Sequence, residues 1–173
     1  MKKAYGIAGK LLRYGLPILL CVLWLGFIFG NSLKNGTQSG EQSSSVHQIV
    51  NEVAQSVGYD KPISESTVRT SAHFLEFAIL ALLECWVLAA FGFLRFSLPL
   101  WYLPLGMGAV LTDCALMACV DETLQRFSNG RAAEWKDVCI DTLGALLAVL
   151  ACSVILLATR LIRQIWRKNK SAT

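Results

Sequence analysis

The sequence predicts an all-α, polytopic membrane protein: a four-transmembrane-helix bundle with a short amphipathic helix in its first outer loop. Two compositional observations carry this. Of 173 residues 54% are apolar and only 16% charged, with a mean hydropathy of +0.50, whereas a soluble domain carries roughly a quarter charged residues. The apolar residues also fall in four long blocks instead of alternating between a core and a surface. A bilayer core of about 30 Å needs roughly 20 such residues in a helix, because unpaired backbone groups are too costly in lipid. A secreted disulfide scaffold, a disordered chain and a nucleic-acid partner are excluded on the same grounds. The whole chain, 1–173, is predicted to form a single membrane domain.

The first block runs from about Tyr14 to Gly30, behind Lys2, Lys3, Lys10 and Arg13. Its length and bulky far end, with no small-x-small pattern after it, predict an uncleaved anchor, not a signal peptide. The second block spans about 74–94, the third 98–120 and the fourth 138–159. Residues 31–45 are rich in Gly, Ser and Asn and read as a flexible loop. Val46, Ile49, Val50, Val53 and Val57 then recur at helical spacing, predicting the amphipathic helix, which Gly58 to Pro62 would end. Ser64 is placed to cap a helix running into the second span.

The two terminal segments and the tight second loop, with Arg95, hold ten of the sixteen Lys and Arg residues. The positive-inside rule therefore predicts both termini in the cytoplasm and loops 31–73 and 121–137 on the outer side. Tyr14, Trp101, Tyr102 and Trp166 would form the inner aromatic belt, and Trp135 the outer one. The net charge of +4 then reflects orientation and requires no acidic partner. The six cysteines lie in or at the edge of the apolar blocks, without CxxC spacing, and read as small buried apolar residues.

Ionisable residues in membrane spans are expensive and mark function by default. Here they gather at one end. Arg69, His73 and Glu76 are spaced four and three apart, on one helical face. Asp121 and Gln125 share a face of the third span, with Glu122 beside them and Arg126 next in the chain. Asn129-Gly130-Arg131 forms a turn in which Gly130 can take a positive φ. Asp137 and Asp141 enter the fourth span, followed by Gly144 and Ala148 at a spacing that admits a close neighbour helix. Arg69 and Arg131 serve either a ligand or, structurally, Glu76 or Asp137. Glu84 and Asp113 lie deeper, either on a proton or cation path or as neutral acids hydrogen-bonded to a neighbouring helix.

Three strings together resemble VanZ-like membrane proteins: Ala72-His73-Phe74-Leu75-Glu76-Phe77, Asp121-Glu122-Thr123-Leu124-Gln125-Arg126-Phe127 and, after Gly130-Arg131, Asp137-Val138-Cys139-Ile140-Asp141-Thr142-Leu143-Gly144-Ala145. Phe77 stands where that family commonly has Tyr, Asn129 where Pro is frequent, and Thr70-Ser71 where a basic residue often precedes the first string. The resemblance implies a bacterial cytoplasmic-membrane protein and a theme, resistance to the glycopeptide teicoplanin and the cell envelope, but no reaction.

Three functions follow as expectations. In the first, the outer cluster binds the polar head of a membrane lipid, a lipid-linked envelope precursor or a lipoglycopeptide. Arg69, Arg126 and Arg131 would take phosphate or carboxylate, while Gln125, Asp137 and Asp141, with His73 and Glu76, would hydrogen-bond the head. In the second, an enzyme acts on a lipid head group. His73 would be its general base, oriented by Glu76 or Asp121, or else Asp121, Glu122 and His73 would hold a divalent metal. In the third, Glu84 and Asp113 serve ion-coupled transport, which with so few spans would require a homo-oligomer. No cofactor is expected.

Overall fold

The computed structural model describes residues 6–94 and 98–171, and these are helical without a strand. Lys2, Lys3 and Arg95, three of the basic residues used to orient the chain, lie outside them. The first span comprises α1 (Ile7–Lys10), a π-helical stretch (Leu11–Gly15) and α2 (Leu16–Ser32). After it come α3 (Gly36–Ser56), α4 (Glu65–Phe91), α5 (Tyr102–Phe127) and α6 (Trp135–Ser171). The four helical stretches that begin at Ile7, Glu65, Tyr102 and Trp135 are long and apolar enough to cross a membrane, and the chain is a multi-pass membrane protein.

α4 stands at the centre, packed on α2, α3, α5 and α6, while α6 also packs on α5. Ile28, Phe77, Leu80, Ala81, Cys114, Ala118 and Ala145 are completely buried between these helices. Large apolar side chains such as Val22, Leu23, Leu105, Leu116, Val154 and Ile155 point outward, as lipid-facing positions must. Close approach of α6 to α4 depends on Gly144, where a Cβ would overlap the carbonyl of Phe74. The small-residue spacing read from the sequence is thus used as a backbone contact.

Span boundaries differ from the sequence reading where local chemistry acts. The second span stops at Phe91 because Gly92 takes a left-handed φ of 90° and turns the chain. The third begins at Tyr102, with Pro104 in its first turn, where a missing N–H costs nothing. The fourth continues to Ser171, since the basic tail is built of good helix formers. Ser64 caps α4 as expected, accepting from the Thr67 amide at 3.2 Å. Two of the six cysteines, Cys85 and Cys114, are buried. Cys119 and Cys139 are exposed, which corrects the reading of all six as buried residues.

The largest difference lies in residues 31–45, read as a loop. α3 begins at Gly36 because Asn35 and Gln38 form a capping box: Asn35 Oδ1 accepts from the Gln38 amide at 2.9 Å, and Gln38 Oε1 from the Asn35 amide at 3.3 Å. Two anchors fix this helix over the polar end of the bundle. Asn51 Oδ1 accepts from the Ile63 amide at 2.8 Å, and His47 Nε2 meets the Ile63 carbonyl at 2.7 Å. At the other anchor the Gly36 amide donates to the Asn129 carbonyl at 2.8 Å. A Cβ on Gly36 would lie 2.5 Å from the Gly130 oxygen, and Gly130 itself needs its φ of 79°. Asn35→Ala is expected to destabilise the first turn of α3 by about 1 kcal/mol. Hydrogen exchange at the amides of residues 37–39 should accelerate several-fold, while those in the middle of α4 stay unchanged.

Candidate functional site

The polar end of the bundle is where α2 and α5 finish and where α4 and α6 begin. The residues gathered there are acids and their partners. Asp141 on α6 is completely buried, and its Oδ1 lies 3.4 Å from His73 Nδ1 on α4, at ion-pair distance but without hydrogen-bond geometry. One turn nearer the end, Arg69 Nη2 meets Asp137 Oδ2 at 3.5 Å. Asp121 on α5 is 1% exposed and held at both oxygens. Ser32 Oγ donates to Oδ1 at 2.5 Å and Gln125 Nε2 to Oδ2 at 3.0 Å. Arg131 Nη2 donates to Gln125 Oε1 at 2.7 Å, and its Nη1 to the Asn31 carbonyl at 3.2 Å. A relay therefore runs from the Arg131 guanidinium through the Gln125 amide to the Asp121 carboxylate. Burial first, and then the neighbouring Arg69 guanidinium, push Arg131 below its ordinary pKa, yet arginine remains a cation at working pH.

Glu76 faces the same space. Its Oε1 accepts from Asn31 Nδ2 at 3.4 Å, and its backbone carbonyl accepts from Trp24 Nε1 at 2.9 Å. Between these groups and α3 is a chamber of about 110 Å³. Arg69, His73, Glu76, Gln125, Arg131 and Asn31 supply its main polar lining, and Val46, Val68 and Ala72 an apolar side. A wider cleft of about 430 Å³ adjoins it and shares Ser39, Ser43, Arg69 and Arg131 with it. Both guanidiniums thus stand where chamber and cleft meet.

Eight of the ten sequence-predicted site residues take part in this cluster. Glu122 and Arg126 do not line the chamber. They border a separate groove of about 520 Å³ with Thr123, Phe127 and Trp135. The Glu122 carboxylate accepts the backbone N–H of Glu134, so it fastens the start of α6. The partner of His73 also differs from expectation: Asp141 takes the place assigned to Glu76 or Asp121. Arg69 pairs with Asp137, one of the structural alternatives read from the sequence. Asn31 and Ser32 escaped that reading, although two polar residues directly after an apolar block were their signal. Deeper in the membrane, Cys114 Sγ donates to Glu84 Oε1 at 3.7 Å, which fits an acid hydrogen-bonded across helices, while Asp113 is on the exposed face of α5.

Comparison with known sequences adds one finding. The family described as VanZ/LLP1 matches residues 17–157, which include every residue of the cluster. No curated protein and no solved structure matches the chain.

Proposed function

The chain belongs to the VanZ/LLP1 family, and from that premise we propose that it binds the anionic head of a lipid-linked envelope component at the outer face of a bacterial cytoplasmic membrane. The observation that carries this reading is the chamber under α3, with two guanidiniums at its junction with the cleft and an apolar side formed by Val46, Val68 and Ala72. Its volume admits a phosphate-sized group, not a whole lipid, so the tail would run along the apolar side toward the bilayer. Arg69 pairs with Asp137 but keeps its side chain 47% exposed, so its guanidinium can also meet a phosphate or carboxylate. A glycopeptide with an acyl tail presents the same combination of head and chain, in keeping with a teicoplanin-resistance role. The excess of Lys and Arg in the terminal segments supports the outer placement and cytoplasmic termini.

The test is a thermal-shift titration of the detergent-solubilised protein with polyprenyl phosphate and, in parallel, with phosphatidylethanolamine. The polyprenyl phosphate should raise Tm by several degrees at low micromolar concentration. Arg69→Ala should weaken its apparent affinity about tenfold, the equivalent of one charge-assisted hydrogen bond. Equal shifts from both lipids would remove the reading.

A second reading rests on the His73–Asp141 pair, in which a carboxylate faces an imidazole that borders the chamber. That is the arrangement of a general base and its orienting acid, so a head-group hydrolase is the alternative. Mass spectrometry of lipids incubated with the purified protein decides it, an unchanged pool excluding turnover.

A further inference from the structure

We propose that His73, Asp121 and Asp141 form a buried divalent-cation site at the polar end of the bundle, of which His73 alone lines the chamber. Each of the three offers one ligand atom, and these atoms lie no more than 4.8 Å from one another. Ions bound at about 2.0–2.2 Å hold donors up to about 4.4 Å apart, so closure requires only small side-chain adjustments. The three residues come from α4, α5 and α6, and the packing of these helices fixes their spacing.

A second observation points to a ligand. Asp141 is completely buried, and neither of its oxygens has a hydrogen-bond partner; its contact with His73 Nδ1, at 3.4 Å, lacks hydrogen-bond geometry and leaves Oδ2 with nothing. Leaving a carboxylate buried in this way costs several kcal/mol unless a cation or a proton compensates. The arginines of the site do not supply that charge. Arg69 is engaged by Asp137, and Arg131 donates to the Gln125 side chain and the Asn31 carbonyl. Glu76, close to both aspartates, and Glu122, close to Asp121, add further acidic groups nearby. A divalent ion would neutralise the two aspartates together and fill the unmet acceptor sites of Asp141.

The surroundings suit a metal as well as the donors do. Ser32 and Gln125 hold the Asp121 carboxylate, and Arg131 holds Gln125, an outer shell of the kind that orients ligands. One imidazole with two carboxylates favours Mn²⁺ or Zn²⁺: the oxygens suit hard ions, and the nitrogen favours the first-row metals over Ca²⁺. Three protein donors leave coordination positions open, for water or for an anionic group. The cation site stands on these side chains alone, so failure of lipid binding would leave it untouched.

The test uses the full chain on a histidine-free tag, stripped with chelator, then equilibrated separately with Mn²⁺, Zn²⁺ and Ca²⁺ and freed of unbound ion. Elemental analysis should find about one Mn²⁺ or Zn²⁺ per chain and at least tenfold less Ca²⁺ under the same conditions. His73→Gln and Asp141→Asn should each lower occupancy at least tenfold. Where either variant fails to accumulate, electron paramagnetic resonance of the Mn²⁺-loaded chain decides instead. The sequence has two histidines, so a nitrogen coupling that survives His47→Gln identifies His73. Occupancy below a tenth of an equivalent, unchanged occupancy in folded His73→Gln or Asp141→Asn, or a spectrum without nitrogen coupling overturns the site.

Discussion

Replacing Gly144 with valine is expected to abolish accumulation of the folded bundle. A Cβ at this position would lie 3.0 Å from the Phe74 carbonyl carbon and 3.2 Å from its Cα, with the carbonyl oxygen closer still. All three atoms are backbone, so no side-chain rotation relieves the overlap. The helices α4 and α6 would have to separate, and between them lie both the His73–Asp141 and the Arg69–Asp137 contacts. In a bilayer, helices associate through close packing and polar contacts, because lipid tails remove the hydrophobic drive. Loss of the close approach therefore weakens both of the forces available. Gly144→Ala should already cost about 1–3 kcal/mol, and the extra methyls of valine should raise that beyond the stability of the fold. Gly108 on α5 provides the control, since a Cβ there meets nothing within 4 Å. Fluorescence-detected size exclusion and thermal unfolding in detergent should show wild-type behaviour for Gly108→Ala and a lower Tm for Gly144→Ala. An unshifted Tm in Gly144→Ala would sink the argument.

How far these contacts were legible follows from their range. Gly144 was readable because a small residue four positions from another on an apolar helix has few uses other than close packing. The cluster, too, was visible as ionisable residues concentrated at span ends. What could not be read was how the helices rotate against one another. Spacing within α4 puts Glu76 one turn from His73, but the acid paired with the imidazole is Asp141, 68 residues later in the chain (141 − 73). The same ignorance of rotation placed Arg126 in the site, although its neighbour Gln125 is the residue that faces inward. Residues 36–45 present the opposite case. Their composition favours a loop, and the capping box Asn35-x-x-Gln38 was the local signal against it. A tether from Gly36 to Asn129, remote in sequence, and the contacts of His47 and Asn51 with Ile63 farther along α3 then hold as helix a segment whose propensity is poor.

Arg131→Met should be the most damaging single change among the polar residues of the site. The guanidinium crosses from the loop after α5 to the Asn31 carbonyl and the Gln125 amide oxygen, two acceptors that lose their donor when it is removed. Gln125 is completely buried. Its orientation is set at one end by Arg131 and at the other by Asp121, to which it donates. Without the arginine, the amide must either leave its oxygen unpaired or flip and bring that oxygen against a carboxylate. Either outcome costs about 1–3 kcal/mol, and loss of the positive charge beside several acids adds to it. The expected total is about 3–5 kcal/mol, with the α2–α5 connection through Ser32 and Asp121 loosened as well. Arg131→Lys should recover only part of it, because one ammonium on a flexible stem does not reproduce the two-pronged contact. The decisive measurement is a double-mutant cycle with Gln125→Leu, read by unfolding in detergent. Since the two residues act through one chain of hydrogen bonds, the pair should fall short of additivity by at least about 1 kcal/mol. Additive effects would mean that Arg131 stabilises the loop independently of the Asp121 network.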